Sequence, residues 1–255
     1  MKKNVEKEMD KELPRYLYHY LSLEYLISIL KNRRLSFCNP DYWDDKNDAY
    51  YAKMATPQNK VVGVICFTNK RETCTHWKTY ASEGIGVKLT FKFDELLESI
   101  KKNVEADNIL LSHSVCYKAR KDVLEAEISE LDKKYWPLFI KKKAYKNERE
   151  YRFACIVDAE MKEFGKTVCW KKIPLSCISR ITISPYVQKS VARDVIKLIK
   201  AYIESLDAGK ESLNIEVERS TMMLDREWQR AGRKLVEAKT NETIFVQKDL
   251  KGDEK

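Results

Sequence analysis

Two carboxylates and a guanidinium lie close together in the stretch KNEREYRFACIVD, residues 146–158. Its apolar part, residues 153–157, is typical of a short buried strand. Because strand side chains alternate between two faces, Glu148, Glu150 and Arg152 are predicted to share one face. Buried charge is unfavourable unless it is paired. An ion-paired strand end and a catalytic role are both compatible with this pattern.

Few other ionisable groups fall on or beside predicted strands. His19 lies in a tyrosine-rich first strand, between Tyr18 and Tyr20. Tyr80 lies on a short predicted helix after the buried strand VVGVICFT. Each also has a structural explanation. A histidine in a strand is often hydrogen-bonded, and the spacing of Tyr80 three residues after Trp77 is typical of core packing.

The other two histidines give weaker patterns. His113 and the nearby Cys116 would form a cysteine–histidine nucleophile pair, but no third group is placed by motif to orient them. His76 and Cys74 lack metal-ligand partners at a useful spacing. We therefore predict no metal site.

Composition favours a globular protein. The 255 residues, 44% of them hydrophobic, can bury a core without a metal or disulfide. The net charge of +9 weakly favours a polyanionic partner, because most charged residues solvate the surface. Neither G-x-x-x-x-G-K-[ST] nor G-x-G-x-x-G is present, so these two phosphate-binding loops are excluded.

The cysteines and the apolar runs indicate a cytoplasmic protein. The seven cysteines are odd in number, form no C-x-x-C pair and often lie in apolar runs, which predicts reduced thiols. The first twelve residues lack the apolar region of a signal peptide. No apolar run approaches the ~18 residues of a membrane span, so no membrane partner is expected.

Hydrophobic periodicity predicts an irregular mixture of strands and helices, and hence an α+β fold. The predicted strands are RYLYHY, RLSFCNP, VVGVICFT, GIGVKLTF, EYRFACIV, CISRITIS and NIEVERS. The predicted helices are SLEYLISILKNRR with Ser22 as N-cap, RETCTHWKTYAS, and residues 94–105, 122–140, 187–206 and 221–236. DYWDDKNDAYYA is read as a loop or short helix. The helix between the last two strands predicts a β-α-β crossover if they are parallel.

Three segments resemble the bacterial family DUF2971 over roughly residues 16–155. They are LYHYLSLEYLISILKNRRLSFCNPDYWDD, CFTNKRETCTHWKTYASEGIGVKLTF and NEREYRF, with a weaker echo in IPLSCISRITISP. More distantly, the order of His19, Tyr80 and Glu150 resembles the histidine–tyrosine–glutamate branch of the ADP-ribosyltransferase superfamily. The resemblance implies a mixed sheet core with flanking helices. We expect one such domain at residues 14–245, after a charged lead-in at 1–13 and before a disordered tail at 246–255.

The superfamily resemblance also implies residue roles, with NAD as substrate and no metal. His19 would hydrogen-bond the adenosine ribose, and Tyr80 would stack on nicotinamide. Glu150 would stabilise the oxocarbenium-like state. Glu148 would be the first acid of an E-x-E pair, orienting or deprotonating the acceptor.

The sequence departs from the family patterns at several positions. The superfamily has a hydroxyl two residues after the histidine, where this chain has Leu21, with Ser22 one step on. Residues 77–80 read WKTY where DUF2971 proteins often read W-x-H-Y. Ser22 and Trp77 are accordingly assigned to the NAD-binding set. The acidic Asn-Asp pair of the family falls on Asp44-Asp45 here.

Basic and aromatic residues interleave just before the glutamates, in YWPLFIKKKAYKNER. Lysines can neutralise phosphates and aromatic rings can stack on bases, so this run is a candidate nucleic-acid interface. Its basic members are Lys141, Lys142, Lys143, Lys146 and Arg149. A solvated face is the alternative, and it is the usual explanation for the second stripe, formed by Lys189, Arg193, Lys197 and Lys200.

The sequence therefore predicts an NAD-dependent ADP-ribosyltransferase that modifies nucleic acid, with a protein acceptor as the alternative. A toxin or phage-defence role follows from family analogy alone. The competing hypothesis is a catalytically inactive module of the same fold that binds nucleic acid. The sequence does not specify the oligomeric state.

Overall fold

The computed structural model describes residues 13–105, 108–124, 134–158, 166–206, 213–224 and 226–238. The chain divides into two compact units, Met1–Ser220 and Thr221–Lys255. The predicted tail, and all of the predicted lead-in except Leu13, lie outside the described residues. In the described part, no helix combines the length and the apolar character needed to cross a bilayer.

The first unit is built on a mixed sheet to which nine described strands contribute. Including a separate pair, eleven strands are described: β1 (Tyr16–Ser22), β2 (Arg34–Cys38), β3 (Lys60–Thr68), β4 (Gly86–Lys92), β5 (Ile109–Ser114), β6 (Cys116–Lys118), β7 (Ile140–Lys142), β8 (Glu150–Asp158), β9 (Thr167–Lys172), β10 (Ile178–Ile183) and β11 (Glu216–Arg219). Strands β6 and β7 form a separate parallel pair.

Helices flank this sheet. They are α1 (Leu23–Asn32), α2 (Lys46–Met54), α3 (Cys74–Tyr80), α4 (Phe93–Lys102), α5 (Arg120–Leu124) and α6 (Lys189–Leu206). Short 3₁₀ helices cover Pro40–Tyr42, Trp136–Phe139, Lys143–Glu148 and Leu175–Cys177. In the second unit the described helix is α7 (Arg226–Ala238).

Strand β3 is the point where the sheet branches. Along one edge it pairs with β8 over its whole length, and β8 pairs in turn with β5. The other edge is shared. At its end Thr68 pairs with Tyr18 of β1, and in its middle Val64 pairs with Cys38 of β2. One branch continues from β1 through β4 and β10 to β11, and the other from β2 to β9.

The two faces of β8 are buried against different clusters. Tyr151, Phe153 and alternate residues beyond them face the main core. Ala154 and Ile156 face a smaller cluster that includes Ala52 of α2. The period of two places Glu150 and Arg152 on the second face. The charged end of β8 therefore continues the small cluster, beneath α2.

Most of the predicted architecture is confirmed. The chain has the α+β class, with a mixed sheet and flanking helices, and each predicted strand is present. The helix between β10 and β11 joins parallel strands, as predicted. Strands β5, β6, β7 and β9 were not predicted, because short strands depend on distant partners rather than on local pattern.

The predicted helix at residues 122–140 is confirmed at residues 122–124 and wrong at its described C-terminal end, residues 134–140. Helix α5 begins earlier, at Arg120, and residues 125–133 lie outside the described residues. At the other end, Trp136–Phe139 is a 3₁₀ helix with Pro137 in its first turn. Proline lacks the amide hydrogen that an α-helix interior requires, so the chain can start a new turn here but not continue an earlier one.

Gly63 allows β2 and β9, which form one of the two branches, to pack closely against β3. A Cβ atom at this position would lie 2.9 Å from both the Cβ and the carbonyl oxygen of Phe37, and 3.0 Å from the Cβ of Val168. We expect Gly63→Ala to lower the free energy of unfolding by about 1–3 kcal/mol through overpacking. Gly232→Ala is the control, because nothing lies within 4 Å of its added carbon. Urea unfolding of both variants checks this. Equal stability of Gly63→Ala and wild type would contradict the close approach.

Candidate active site

A cleft of about 430 Å³ opens where β1 and β3 meet. This volume is in the range of small-molecule sites. Its aromatic lining comprises Tyr18, Tyr20, Tyr42, Trp43, Phe67, Tyr80 and Tyr145. Its ionisable lining comprises His19, Asp44, Asp45, Asp48, Cys66, His76, Lys141, Glu148, Glu150 and Arg152.

Arg152 is the most deeply buried charge in the cleft, with a side chain 1% exposed. Its guanidinium donates from Nη1 and Nη2 to the two oxygens of Asp48, at 2.8 and 2.6 Å. Nε and Nη2 donate to the two oxygens of Glu150, at 2.8 and 3.0 Å. Nη1 also donates to the carbonyl of Leu138 at 2.8 Å. All five N–H groups of the guanidinium are therefore used.

Asp48 reaches Arg152 because its helix begins in the right place. Asp45 caps α2 by accepting hydrogen bonds from the backbone N–H groups of Asn47 and Asp48. This puts Asp48 in the first turn, above the end of β8. The ring of Trp43 lies over the guanidinium of Arg152, with its centre 4.7 Å from the central carbon. The ion pair of Arg152 and Asp48 is buried, with side chains 1% and 3% exposed.

Glu150 is held as a carboxylate. Burial alone would raise its pKa, but the charge and hydrogen bonds of Arg152 and the charge of Lys141 outweigh burial and lower the pKa to about 2. Its backbone N–H donates to the hydroxyl of Tyr117 at 2.8 Å. Glu150 is therefore charged throughout the physiological pH range.

Lys141 lies among three carboxylates. Its Nζ is 2.7 Å from Glu148, 3.3 Å from Glu150 and 3.6 Å from Asp48. The side chain is 11% exposed, and its Nζ lies 4.9 Å from the centre of the Tyr145 ring. Burial lowers the pKa of Lys141, but the carboxylates outweigh burial and raise it above its usual value. The ammonium is therefore permanent and already paired.

Glu148 does not belong to the strand, so its predicted place on the strand face is wrong. It ends the 3₁₀ helix Lys143–Glu148, and β8 begins at Glu150. Between them Arg149 has a left-handed conformation, with φ of +49°. This bend turns the chain so that the carboxylates of Glu148 and Glu150 still meet at Lys141.

A clamp of backbone hydrogen bonds fixes Glu148. Its carbonyl accepts from Thr68 Oγ1 at 2.6 Å and lies 3.1 Å from His76 Nε2. Because a carbonyl can only accept, Nε2 of His76 carries the proton, and Nδ1 faces the hydroxyl of Thr73. Burial lowers the pKa of His76, so the ring is neutral at pH 7. His76 is thus a structural neighbour of the predicted acid.

His19 is also neutral. Burial lowers its pKa, and its Nδ1 lies 2.8 Å from the carbonyl oxygen of Cys66. The carbonyl fixes the tautomer with the proton on Nδ1, which leaves Nε2 as a hydrogen-bond acceptor. Nε2 of His19 can therefore accept a hydrogen bond from a hydroxyl group of a ligand.

Tyr80 stands at the edge of the cleft with 43% of its surface exposed. Its hydroxyl is hydrogen-bonded to Glu148, and burial together with this carboxylate raises its pKa above the usual value. The exposed ring can stack on a flat ligand, while its hydroxyl is hydrogen-bonded to Glu148.

The remaining predicted NAD-binding residues do not line the cleft. Trp77 is fully buried and packs edge-on against Tyr20, with ring centroids 5.0 Å apart. Ser22 ends β1 opposite Gly86, outside the cleft lining. Leu21, which replaces the superfamily hydroxyl, is part of the main core.

The predicted basic run is divided in two. Lys141 points into the cleft and is paired, whereas its basic neighbours in the sequence are exposed and outside the cleft lining: Lys142, Lys143, Lys146 and Arg149. Only the exposed residues can offer uncompensated charge to a polyanion.

Sequence reasoning missed Asp48, the main partner of Arg152. The assigned acidic pair was Asp44-Asp45, but a literal Asn-Asp pair stands three residues later, at Asn47-Asp48. Thr68 and Tyr117 gave no local signal.

At neutral pH Asp48, Glu148 and Glu150 outnumber Lys141 and Arg152 by one charge. Among the described residues no histidine, cysteine or carboxylate cluster fits a metal ion.

We expect Asp48→Ala to lower the free energy of unfolding by about 3 kcal/mol, because it removes one carboxylate and two of the five hydrogen bonds from the buried guanidinium of Arg152. Asp158→Ala is the control. It breaks an ion pair with Lys60 whose aspartate is 54% exposed, and should cost less than about 1 kcal/mol. Urea unfolding measures both. Equal losses would show that burial of Arg152 does not depend on Asp48.

Three solved structures of Thermus sp. 2.9 DarT are similar to this chain. The complex with carba-NAD+ has a TM-score of 0.39 and 15% identity, covering 82% of this chain and 97% of that one. The complexes with NAD+ and with ADP-ribosylated ssDNA have TM-scores of 0.37 and 0.36 and 13% identity, covering 81% and 80% of this chain and 96% and 94% of those chains. Similarity at this level transfers no function.

A comparison with curated protein sequences found no match. Residues 76–153 match the family profile DUF2971, described as a protein of unknown function. The matched segment contains Tyr80, Lys141, Glu148 and Glu150. The resemblance to DUF2971 is thus confirmed over a segment that carries half of the ionisable residues lining the cleft.

Proposed function

We propose that this protein is an NAD-dependent ADP-ribosyltransferase that acts on nucleic acid. One observation carries the proposal. His19 of β1, Tyr80 of α3 and Glu150 of β8 line the same cleft, although they come from three separate elements. The superfamily resemblance links these three residue types, in this order, to NAD chemistry.

The proposed binding roles follow from the state of each side chain. Nε2 of His19 is an acceptor and would receive a ribose hydroxyl. The exposed ring of Tyr80 offers a flat face to nicotinamide. Neither contact requires a charge on the protein, which suits a ligand whose ring is cationic.

The charge balance of the cleft favours a developing cation. Three carboxylates face two cations, so the cluster carries one net negative charge. Glu150 would stabilise positive charge on the ribose as its bond to nicotinamide breaks. Because the pKa of Glu150 is about 2, this carboxylate is ionised before substrate binds.

Transfer of ADP-ribose would break one bond at ribose C1′ and form another. The bond between ribose C1′ and the nicotinamide nitrogen breaks, and nicotinamide leaves with the electron pair. A lone pair of the acceptor forms the new bond to C1′. Glu148, held beside the cleft, takes the proton that the acceptor loses.

The acceptor would be bound at the mouth of the cleft. Lys142, Lys143 and Lys146 are exposed beside Glu148, and the ring of Tyr145 is 36% exposed. Lysines at this place can hold phosphates, and the ring can stack on an unpaired base. A protein acceptor is the alternative outcome. A toxin or phage-defence role would follow from such an activity only by family analogy.

A second candidate is an inactive module that binds nucleic acid through the same mouth. Leu21 favours it, since the position where the superfamily has a hydroxyl is filled by a core residue. Consumption of NAD by the purified protein separates the two candidates. An active protein releases nicotinamide, whereas an inactive module binds nucleic acid and leaves NAD intact.

We expect Glu150→Gln to reduce NAD turnover by ~100-fold or more, because the substitution removes the charge that stabilises the cation. It also removes one partner of Arg152, so the melting temperature should fall. Asp48→Asn is matched, since it too takes a charge from Arg152. Nicotinamide release is measured well below both melting temperatures. If the two variants lose turnover equally, Glu150 acts only as an ion-pair partner.

A second prediction concerns the acceptor. Replacing Lys142, Lys143 and Lys146 with glutamine should weaken binding to single-stranded oligonucleotides of different sequence and reduce the salt slope by about two units. The control removes the same three charges from exposed positions of α6: Lys189, Lys197 and Lys200. Fluorescence anisotropy between low and moderate salt measures both. Equal losses would show a non-specific effect of net charge, and unchanged binding in the first variant would remove the proposed interface.

A further inference from the structure

We propose that Lys141 is a positioning residue that holds Glu148 for the acceptor step, and that it does not contact acceptor phosphates. The inference rests on the proposed function and deepens it, because it separates the supports of the two glutamates. It also reassigns the lysine that the sequence grouped with the basic run.

The two carboxylates are held in different ways. Glu150 accepts two hydrogen bonds from the guanidinium of Arg152, at 2.8 and 3.0 Å, and Lys141 lies farther away at 3.3 Å. Glu148 makes no described contact with Arg152. Its carboxylate is paired with Lys141 at 2.7 Å and with the hydroxyl of Tyr80. Loss of Lys141 should therefore displace Glu148 more than Glu150.

The ammonium has little freedom to do anything else. The side chain of Lys141 is 11% exposed, and its Nζ lies 2.7, 3.3 and 3.6 Å from oxygens of three different carboxylates. Nζ also lies 4.9 Å from the centre of the Tyr145 ring. A phosphate would have to break the pair with Glu148 to reach it, and the freed carboxylate would then repel the phosphate.

Tyr80 makes Lys141 more important once substrate is bound. In the proposed complex the ring of Tyr80 stacks on nicotinamide, so a rotation about its Cα–Cβ bond that adjusts the stacking also moves the hydroxyl that contacts Glu148. Lys141 comes from β7 and does not take part in that movement. It is then the remaining side-chain contact that fixes the carboxylate of Glu148 next to Glu150.

Kinetics of the full chain test this division. Lys141→Met keeps the length of the side chain and removes its charge. NAD hydrolysis without acceptor is compared with ADP-ribose transfer to a single-stranded DNA oligonucleotide of mixed sequence. We expect Lys141→Met to lower transfer about tenfold or more relative to hydrolysis, as loss of a positioned base does. Glu148→Gln should give the same bias. In the double variant, Lys141→Met should add no further bias, because its effect passes through Glu148.

Lys88→Met is the matched control. Lys88 is another buried lysine, 9% exposed and paired with Glu72 at 2.8 Å, but it is not among the residues that line the cleft. It should lower the melting temperature and leave the ratio of transfer to hydrolysis as in wild type. If Lys141→Met also leaves that ratio unchanged, or if it biases the ratio further in the Glu148→Gln background, the positioning role is overturned.

A stability cycle separates failure of this inference from failure of the proposed function. Urea midpoints are measured for Lys141→Met, Glu148→Gln and the double variant. Coupling predicts that the double variant loses less than the sum of the single losses, since neither partner is left unpaired. If wild type consumes no NAD but the losses are non-additive, the pairing stands and the proposed function fails. Additive losses overturn the positioning of Glu148 by Lys141 whether or not NAD is consumed.

Discussion

The buried guanidinium of Arg152 is the constraint on which the cleft depends. A charge that is 1% exposed is tolerated only if every donor is used, and here two carboxylates and a carbonyl use all five. Those partners come from α2, from β8 itself and from the 3₁₀ helix Trp136–Phe139. Arg152 thus fixes how α2 and the 3₁₀ helix are arranged against β8, and the carboxylate of Glu150 is held in place by the same interaction.

The branching of the sheet at β3 gives this charged cluster an opening. Thr68 pairs with β1 at the end of the strand and Val64 pairs with β2 in its middle. Cys66, between them, offers its carbonyl to His19 and lies opposite Arg152 in the register with β8. Residues on this short length of β3 thereby contact the histidine side and the carboxylate side of the cleft. A continuous sheet edge would have paired the same backbone groups with another strand.

Electrostatics distinguishes the two sides of the cleft. The side of His19 is neutral, because burial lowers the pKa of this histidine. The opposite side holds permanent charges, with Glu150 ionised at a pKa of about 2 and Lys141 kept protonated by its carboxylates. Such a site changes little in charge between pH 5 and 8, apart from the histidines. Under the proposed function, these fixed charges would stabilise positive charge that develops on a ligand.

Local sequence patterns predicted most of the longer strands and helices and the order of the candidate residues along the chain. Period-two and helical patterns are local, so β1, β3, β8, α1 and α6 could be predicted from a few neighbouring side chains, and the three residues His19, Tyr80 and Glu150 could be chosen from a family resemblance. Which of these residues contact one another depends on the tertiary structure. Asp48 and Arg152 are 104 residues apart, and no local pattern pairs them. Lys141 looked like one lysine of an exposed run until the left-handed turn at Arg149 and the pairing of β7 brought it among three carboxylates. Side-chain charge is written in the sequence, but its environment, which sets its pKa and its role, is produced by contacts between distant segments.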